Sequence, residues 1–343
     1  MINPTIQSMI TARKKRRMRF ILITAVLTLL SLSLACAMMM LGHTIYPVQD
    51  IIRVLMGETV PGASFAITEI RLPRTLAGLF AGFAFGVGGY IFQTMLRNPL
   101  ANPDVIGVTA GSSASAVFCI IVLHASHFTV SIASIVGGLV TVCIIYVLSK
   151  KNAFSIGRLI LIGIGIQAML NAAISYIMLI GKTNDLPTAL VWLSGSLNNA
   201  SMPMILTLLL CIICVMPFIL YCSKQLEMLE LGEQAATALG VNTNKTRIIL
   251  IFCAVCMIAL ATATTGPIAF VAFLAGPIAQ RLVGPGFSNI IPAGLIGIIL
   301  VLGADLIGQF AFETRYPVGV ITGIVGAPYL IYLLIRINRK GDI

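Results

Sequence analysis

Most residues in this sequence that could do chemistry stand where they cannot do it. Two C-x-x-C pairs, Cys211 with Cys214 and Cys253 with Cys256, have the spacing of a zinc or redox site. Both lie inside apolar runs, where a metal would find neither deprotonated thiolates nor polar groups around them. All 8 cysteines are read as small packing residues, with no disulfide framework. The 3 histidines, His43, His124 and His127, fall in loops without a nucleophile partner, so no catalytic constellation is visible. Gly78, Gly82 and Gly86 recur every fourth residue, with Gly88 and Gly89 after them. A phosphate-binding loop needs a Lys directly after its last glycine, and none follows. The spacing instead lines small residues along one helix face, the groove that lets a second backbone approach closely in lipid. If ATP powers this protein, another chain binds it.

Three polar features remain. Asp305 is the only acidic residue inside an apolar run, where a charge costs roughly 2.5–3.5 kcal/mol. It is either a proton or ion relay or a buried polar group near a helix end, paired with an arginine or a backbone amide. A lone titratable group favours the second. Gln167, Asn171 and Ser175 recur every four residues and form a stripe that either lines a pathway or joins helices. Residues 228–241, MLELGEQAATALGV, are acidic and alanine-rich in a chain that is otherwise mostly apolar. Glu230 and Glu233 are neighbours on a helical surface, and Gly232 and Gly240 divide the stretch into two short helices. Such a piece is too polar for lipid and too short to fold alone, so it is read as a docking element for a cytoplasmic partner.

The elements that position these residues follow from composition. The chain is 58% hydrophobic and only 10% charged, far from the roughly 25% charged of soluble domains. Apolar runs long enough to cross a hydrocarbon core predict an all-α polytopic membrane protein with ten spans. They fall at about 20–41, 72–96, 105–123, 128–149, 158–180, 203–222, 246–264, 268–283, 289–310 and 318–337. Residues 1–19 form a basic N-terminal segment, 20–337 the membrane domain and 338–343 a tail. With both termini cytoplasmic, all 22 basic residues except Arg53, Arg71, Arg74, Lys182 and Arg315 lie inside, including Lys150, Lys151, Arg336, Arg339 and Lys340. This is the positive-inside pattern, and a missed span would scramble it. The net charge of +11 is therefore a topology signal, since no basic face with groove-reading elements suggests nucleic acid. The first apolar run exceeds a signal-peptide core, and Leu34-Ala35-Cys36 is too faint a lipoprotein site to change that reading.

Several segments together closely resemble the FecCD-type permeases of bacterial ABC importers for iron-siderophores, haem and vitamin B12. They are RLPRTLAGLFAGFAFGVGGYIFQTMLRNPLANPDVIGVTAGSSASA, VWLSGSLNNAS, ELGEQAATALGVNTNKTR, TGPIAFVAFLAGPIAQRLVG and YPVGVITGIVGAPYLIYLL. The resemblance implies a type II ABC importer permease fold in the bacterial cytoplasmic membrane. It also implies a second permease subunit, identical or different, a cytoplasmic ABC ATPase dimer carrying ATP and Mg, and an extracytoplasmic siderophore-binding protein. No cofactor is expected on this chain.

Residue by residue, the resemblance makes about 226–242 a pair of coupling helices, with Leu231, Gly232, Glu233, Ala236, Leu239 and Gly240 matching. Arg71 and Arg74, with Arg53 assisting, match residues that receive acidic groups of the binding protein. The fifth span, with Gln167, Asn171 and Ser175, matches a pathway-lining helix. FLAGPIAQR and Arg315-Tyr316-Pro317-Val318-Gly319 depart from the commonest family patterns and look more like ferric-siderophore permeases than vitamin B12 ones. Haem or vitamin B12 import is the alternative within the class. A proton-coupled carrier using Asp305 is the rival outside it.

Overall fold

The computed structural model describes residues 4–149, 156–198 and 200–340, so Lys150, Lys151 and the last residues of the tail lie outside the described residues. Fourteen α-helices and no strand occur among them. The long ones are α1 (Pro4–Met40), α3 (Leu72–Leu96), α4 (Val108–Ile121), α5 (His127–Ser149), α6 (Ile156–Ile180), α8 (Met202–Tyr221), α11 (Thr243–Thr265), α12 (Val271–Val283), α13 (Ile290–Phe310) and α14 (Val318–Lys340). Each corresponds to one expected span. Between them lie α2 (Val48–Leu55), α7 (Leu186–Ser194), α9 (Ser223–Glu230) and α10 (Glu233–Ala238). Neither α2 nor α7 was expected, because a helix of 8 or 9 residues leaves no periodicity to read.

Eight of the long helices have the length and hydropathy to cross a membrane. The exceptions, α4 and α12, have 14 and 13 residues, about 20 Å of helix. Both were expected to be longer. The start of the third span is a separate 3-10 turn, Pro103–Ile106, closed by Gly107. The start of the eighth stays irregular because Pro267 cannot donate a hydrogen bond and Phe270 sits at φ +64°, outside helical space. At the other extreme, α1 begins at Pro4, so the basic run is helical and continuous with the span.

The centre of the bundle is α3, with 78% of its apolar window buried. Three of its glycines, Gly82, Gly86 and Gly89, meet backbone rather than side chains. A Cβ on Gly82 would come within 2.7 Å of the Gly297 carbonyl oxygen of α13, Gly86 rests on the Ala293 carbonyl, and Gly89 rests on the Ala272 carbonyl of α12. Gly78 instead faces the Leu302 and Leu197 side chains. Lipid supplies no hydrophobic drive between helices, so this close backbone contact is what dispersion has to work with.

Irregular backbone inside an apolar bundle needs partners of its own. Ser196 donates its N–H to the Thr265 carbonyl (2.7 Å), and Gly319 donates to the Gly195 carbonyl (3.2 Å). Gly195 abuts Pro267, Gly266 abuts the Trp192 carbonyl, and Gly319 abuts the Ser194 carbonyl, with no room for a side chain at any of the three. Three separate sequence segments, VWLSGSLNN, TGPIAF and YPVGV, therefore meet at one junction. Nothing in the order of the chain announces that meeting.

Candidate functional site

One end of the bundle carries the amphipathic elbow. α9 follows α8 after a single residue, Cys222, and its Leu226 and Leu229 are buried against the body. Gly232 then turns the chain at φ +115°, ψ 156°, a conformation closed to side-chain-bearing residues, and α10 begins. Ala236 is fully buried with Leu229 and Val241 in a small cluster of its own. Gly240, at φ +84°, ends the elbow and releases the chain into α11.

Glu233 in the first turn of α10 accepts a hydrogen bond at Oε2 from Arg247 Nη2 (3.2 Å), with Nη1 of the same guanidinium in ion-pair contact with that oxygen at 3.2 Å. The Arg247 side chain is 5% exposed, so its charge is held inside α11 and stabilised chiefly by that carboxylate. Arg97, at the end of α3, lies beside Gly232. The elbow is thus fastened to α11 by an ion pair and to α3 by packing. Meanwhile Leu231 (69% exposed) and Leu239 (59% exposed) present large apolar side chains outward. The sequence reading missed Arg247 as part of this device, because its link to Glu233 crosses 14 residues with no helical register between them.

At the opposite end the expected docking arginines face inward. Arg74 makes a bidentate pair with Asp305, Nε to Oδ2 at 2.8 Å and Nη2 to Oδ1 at 2.7 Å. Gln309 donates to the same carboxylate at 2.6 Å, and Asp305 is 1% exposed. Of the two readings of Asp305, a polar group paired with an arginine is the one this geometry matches; every carboxylate oxygen has a donor. Arg71 donates to the carbonyls of Met39, Met40 and Thr44 and stacks over Tyr46, 4.5 Å from the ring centroid. Arg53 alone of the three is well exposed, and it pairs with Glu58 at 2.6 Å, which raises its pKa. The two inward arginines therefore order the surface at this end of the bundle from beneath.

The polar stripe lies on α6, of whose apolar window only 6% is buried. Asn171 and Ser175 are exposed and Gln167 is half-buried; Ser175 donates to the Asn171 carbonyl along the same helix. Among the described residues no hydrogen bond joins the stripe to another helix. All eight cysteines are free, with Cys211, Cys214, Cys253 and Cys256 on α8 and α11.

The bundle thus carries a backed elbow at one end and buried, partnered arginines at the other. The model of the FecCD transport family matches residues 21–336. This chain belongs to the FecCD transport family. Among its relatives, the ferric enterobactin transport system permease protein FepG of Escherichia coli (strain K12) is 35% identical over 87% of this chain and 91% of its own length. The iron(3+)-hydroxamate import system permease protein FhuG of Bacillus subtilis (strain 168) is 34% identical, covering 84% of this chain and 88% of FhuG. A solved structure described as an inward-facing conformation of a metal-chelate type ABC transporter superposes with a TM-score of 0.79 at 27% identity, over 92% of this chain and 99% of that one. As a FecCD permease the chain is a polytopic membrane transport subunit with the fold of that ABC transporter class.

Proposed function

We propose that this FecCD permease carries an iron(III)-siderophore inward across the bacterial cytoplasmic membrane, driven by ATP hydrolysis on a separate ATPase dimer. The observation that carries the reading is the elbow: a hydrophilic α9–α10 pair anchored to α11 and α3 while exposing Leu231 and Leu239. Closure of an ATPase dimer moves the permease only through a contact stiff enough to transmit displacement. The Glu233–Arg247 pair and the buried Leu229–Ala236–Val241 cluster supply that stiffness, and α11 and α3 carry the displacement into the bundle. The relatives named for ferric enterobactin and iron(3+)-hydroxamate support the choice of cargo.

The same reading assigns the remaining surfaces. The uncovered α6, with Gln167, Asn171 and Ser175, faces a second permease subunit across the pathway. The outer platform around Arg53, Arg71 and Arg74 receives the siderophore-binding protein. An exposed pair such as Arg53–Glu58 contributes little energy but steers encounter and orientation, which suits a partner that leaves every cycle. With both termini on the cytoplasmic side, the elbow faces the ATPase. The chain itself has no catalytic role in hydrolysis, and ATP and Mg sit on the partner.

The test is uptake by vesicles containing the permease, the ATPase and the binding protein. Replacing Gly232 or Ala236 with Trp is expected to leave insertion intact and ATP-driven accumulation lost. Full transport by both variants, or accumulation by wild type without any ATPase subunit, overturns the reading.

A further inference from the structure

On the flank of the bundle, toward the elbow end, α5, α6 and α11 leave between them a half-open slot of ≈ 370 Å³. One wall is a single stripe of α5, where Leu139, Val142, Cys143 and Tyr146 follow the i, i+3, i+4, i+7 pattern of one helical face. The facing wall is a stripe of α11 with the same spacing, from Ile248 to Val255. Leu159 of α6 and Ile106, both fully buried, close the back. Seven residues of helix rise about 10 Å, so the slot runs along the helix axes and therefore along the chains of the surrounding lipid. Its lining is apolar apart from the Cys143 thiol and the Tyr146 hydroxyl, and no carboxylate enters it. Phe252 and Ile248 are exposed, so it opens outward to hydrocarbon rather than into the bundle. Left empty, such a slot forfeits the dispersion contacts of its walls, and water gains nothing from a lining with so few polar groups.

The second observation is the charge at one end of the slot. On α11, Lys245 precedes Ile248 by three residues and continues the lining stripe one turn toward the elbow. On α6, Arg158 precedes Leu159, and its Nη1 donates to the Ser149 carbonyl at 3.5 Å, in the last turn of α5 beyond Tyr146. Both residues are exposed, and neither has an ion-pair partner among the described residues. Glu233, the carboxylate near this end of α11, is already committed to Arg247. The N-termini of α6 and α11 also favour an anion here; the C-terminus of α5 opposes one, and Arg158 covers it.

From this we infer that the slot binds one acidic phospholipid of the elbow-side leaflet, with an acyl chain between α5 and α11 and the headgroup phosphate between Arg158 and Lys245. A chain alone would account for the slot and a phosphate alone for the cations; a phospholipid satisfies both. Tyr146 then stands at the level where aromatic rings border headgroups. Two basic side chains at a membrane surface, with no free carboxylate beside them, favour a net anionic headgroup over a zwitterionic one. α6 contributes Leu159, about two turns before Gln167, so a second permease on the polar stripe leaves the slot open to lipid. The bound lipid ties α6 to α11, the helix that holds Glu233 through Arg247.

The experiment is native mass spectrometry of the purified full-length chain in uncharged detergent, titrated with phosphatidylglycerol or phosphatidylcholine of identical chains. Wild type is expected to retain one phosphatidylglycerol with an affinity about tenfold above that for phosphatidylcholine, as two basic contacts imply. Arg158→Gln/Lys245→Gln should bind the two lipids alike while eluting as wild type on size exclusion. Cys143→Trp, which fills the slot from an exposed position on α5, should lose the retained lipid with both cations in place. Equal retention of the two lipids by wild type overturns the inference, as does a preference that survives the double variant or a lipid that survives Cys143→Trp. Competition by glycerol 3-phosphate, a headgroup without chains, would make this a free-phosphate site and overturns it too. If a chain whose only cysteine is Cys143 cross-links to a second copy in membranes, the slot is a subunit interface and the lipid assignment is equally overturned.

Discussion

Two arginines show how differently one residue type is used at the two ends of this molecule. Arg74 satisfies a carboxylate that has no water to turn to, and removing one member of such a pair leaves the other buried and uncompensated. Arg74→Ala is therefore expected to destabilise the protein by about 3–5 kcal/mol, read as a fall in melting temperature in detergent, whereas Arg53→Ala, at an exposed pair, should leave the melting temperature essentially unchanged. Replacing both partners, Arg74→Met with Asp305→Leu, should recover most of the loss. If the single and double variants melt alike, the pair is not what holds α3 to α13 at that end. Arg247 is the corresponding residue at the elbow. Glu233→Gln should leave the fold intact but cut ATP-driven uptake while hydrolysis continues, because the carboxylate both neutralises Arg247 and fixes α10 to α11. Unchanged uptake per ATP hydrolysed would count against a mechanical role for this contact.

Among the elements, α3 and the glycine junction carry the packing. Gly82→Val and Gly86→Val drive a side chain into the α13 backbone, and backbone cannot rotate away as a side chain does. Overpacking of this kind typically costs 1–3 kcal/mol, so both variants should lose monodisperse behaviour in detergent or melt several degrees lower. Gly303→Ala is the control, since nothing lies within 4 Å of the added methyl. Equal behaviour of all three variants would show that α3 and α13 are not locked by close approach. α4 and α12 belong to the same scale. Each is too short to span alone, and each is completed by an irregular segment that other chain turns cover, at Pro103–Ile106 and at 266–270. The hydropathy of the sequence located both helices well, but it could not say where helix stops inside an apolar run. That depends on φ at Gly107, Gly266 and Phe270 and on what packs against the two glycines, the Ile145 and Thr141 side chains at Gly107 and the Trp192 carbonyl at Gly266.

For the whole molecule, the uneven covering of the helices is informative. α6 leaves Leu161 (72%) and Leu179 (83%) exposed beside Asn171, and α14 has only 28% of its apolar window buried. Lipid covers leucines well but not a polar stripe, so the expectation is that α6 faces a second permease across a polar pathway. Cysteine placed at Ser175 in a background lacking the native cysteines should cross-link protomers in membranes under oxidising conditions. Cross-linking only from lipid-facing positions on α5 would reverse that assignment of surfaces.

What the sequence determined by itself was everything set by local composition and chain order: ten apolar runs, each a helix, the glycine face of α3, and a hydrophilic elbow divided at Gly232 and Gly240. These are legible because helix formation in lipid is obligatory and its hydrogen bonds are made within each segment. Tertiary structure alone decided what each polar group is for. Arg74 meets Asp305 across 231 residues, and Arg247 meets Glu233 on another helix. The physical reason is that a buried charge or amide needs a partner in space, and in a bundle of ten helices the neighbour in space is seldom the neighbour in sequence.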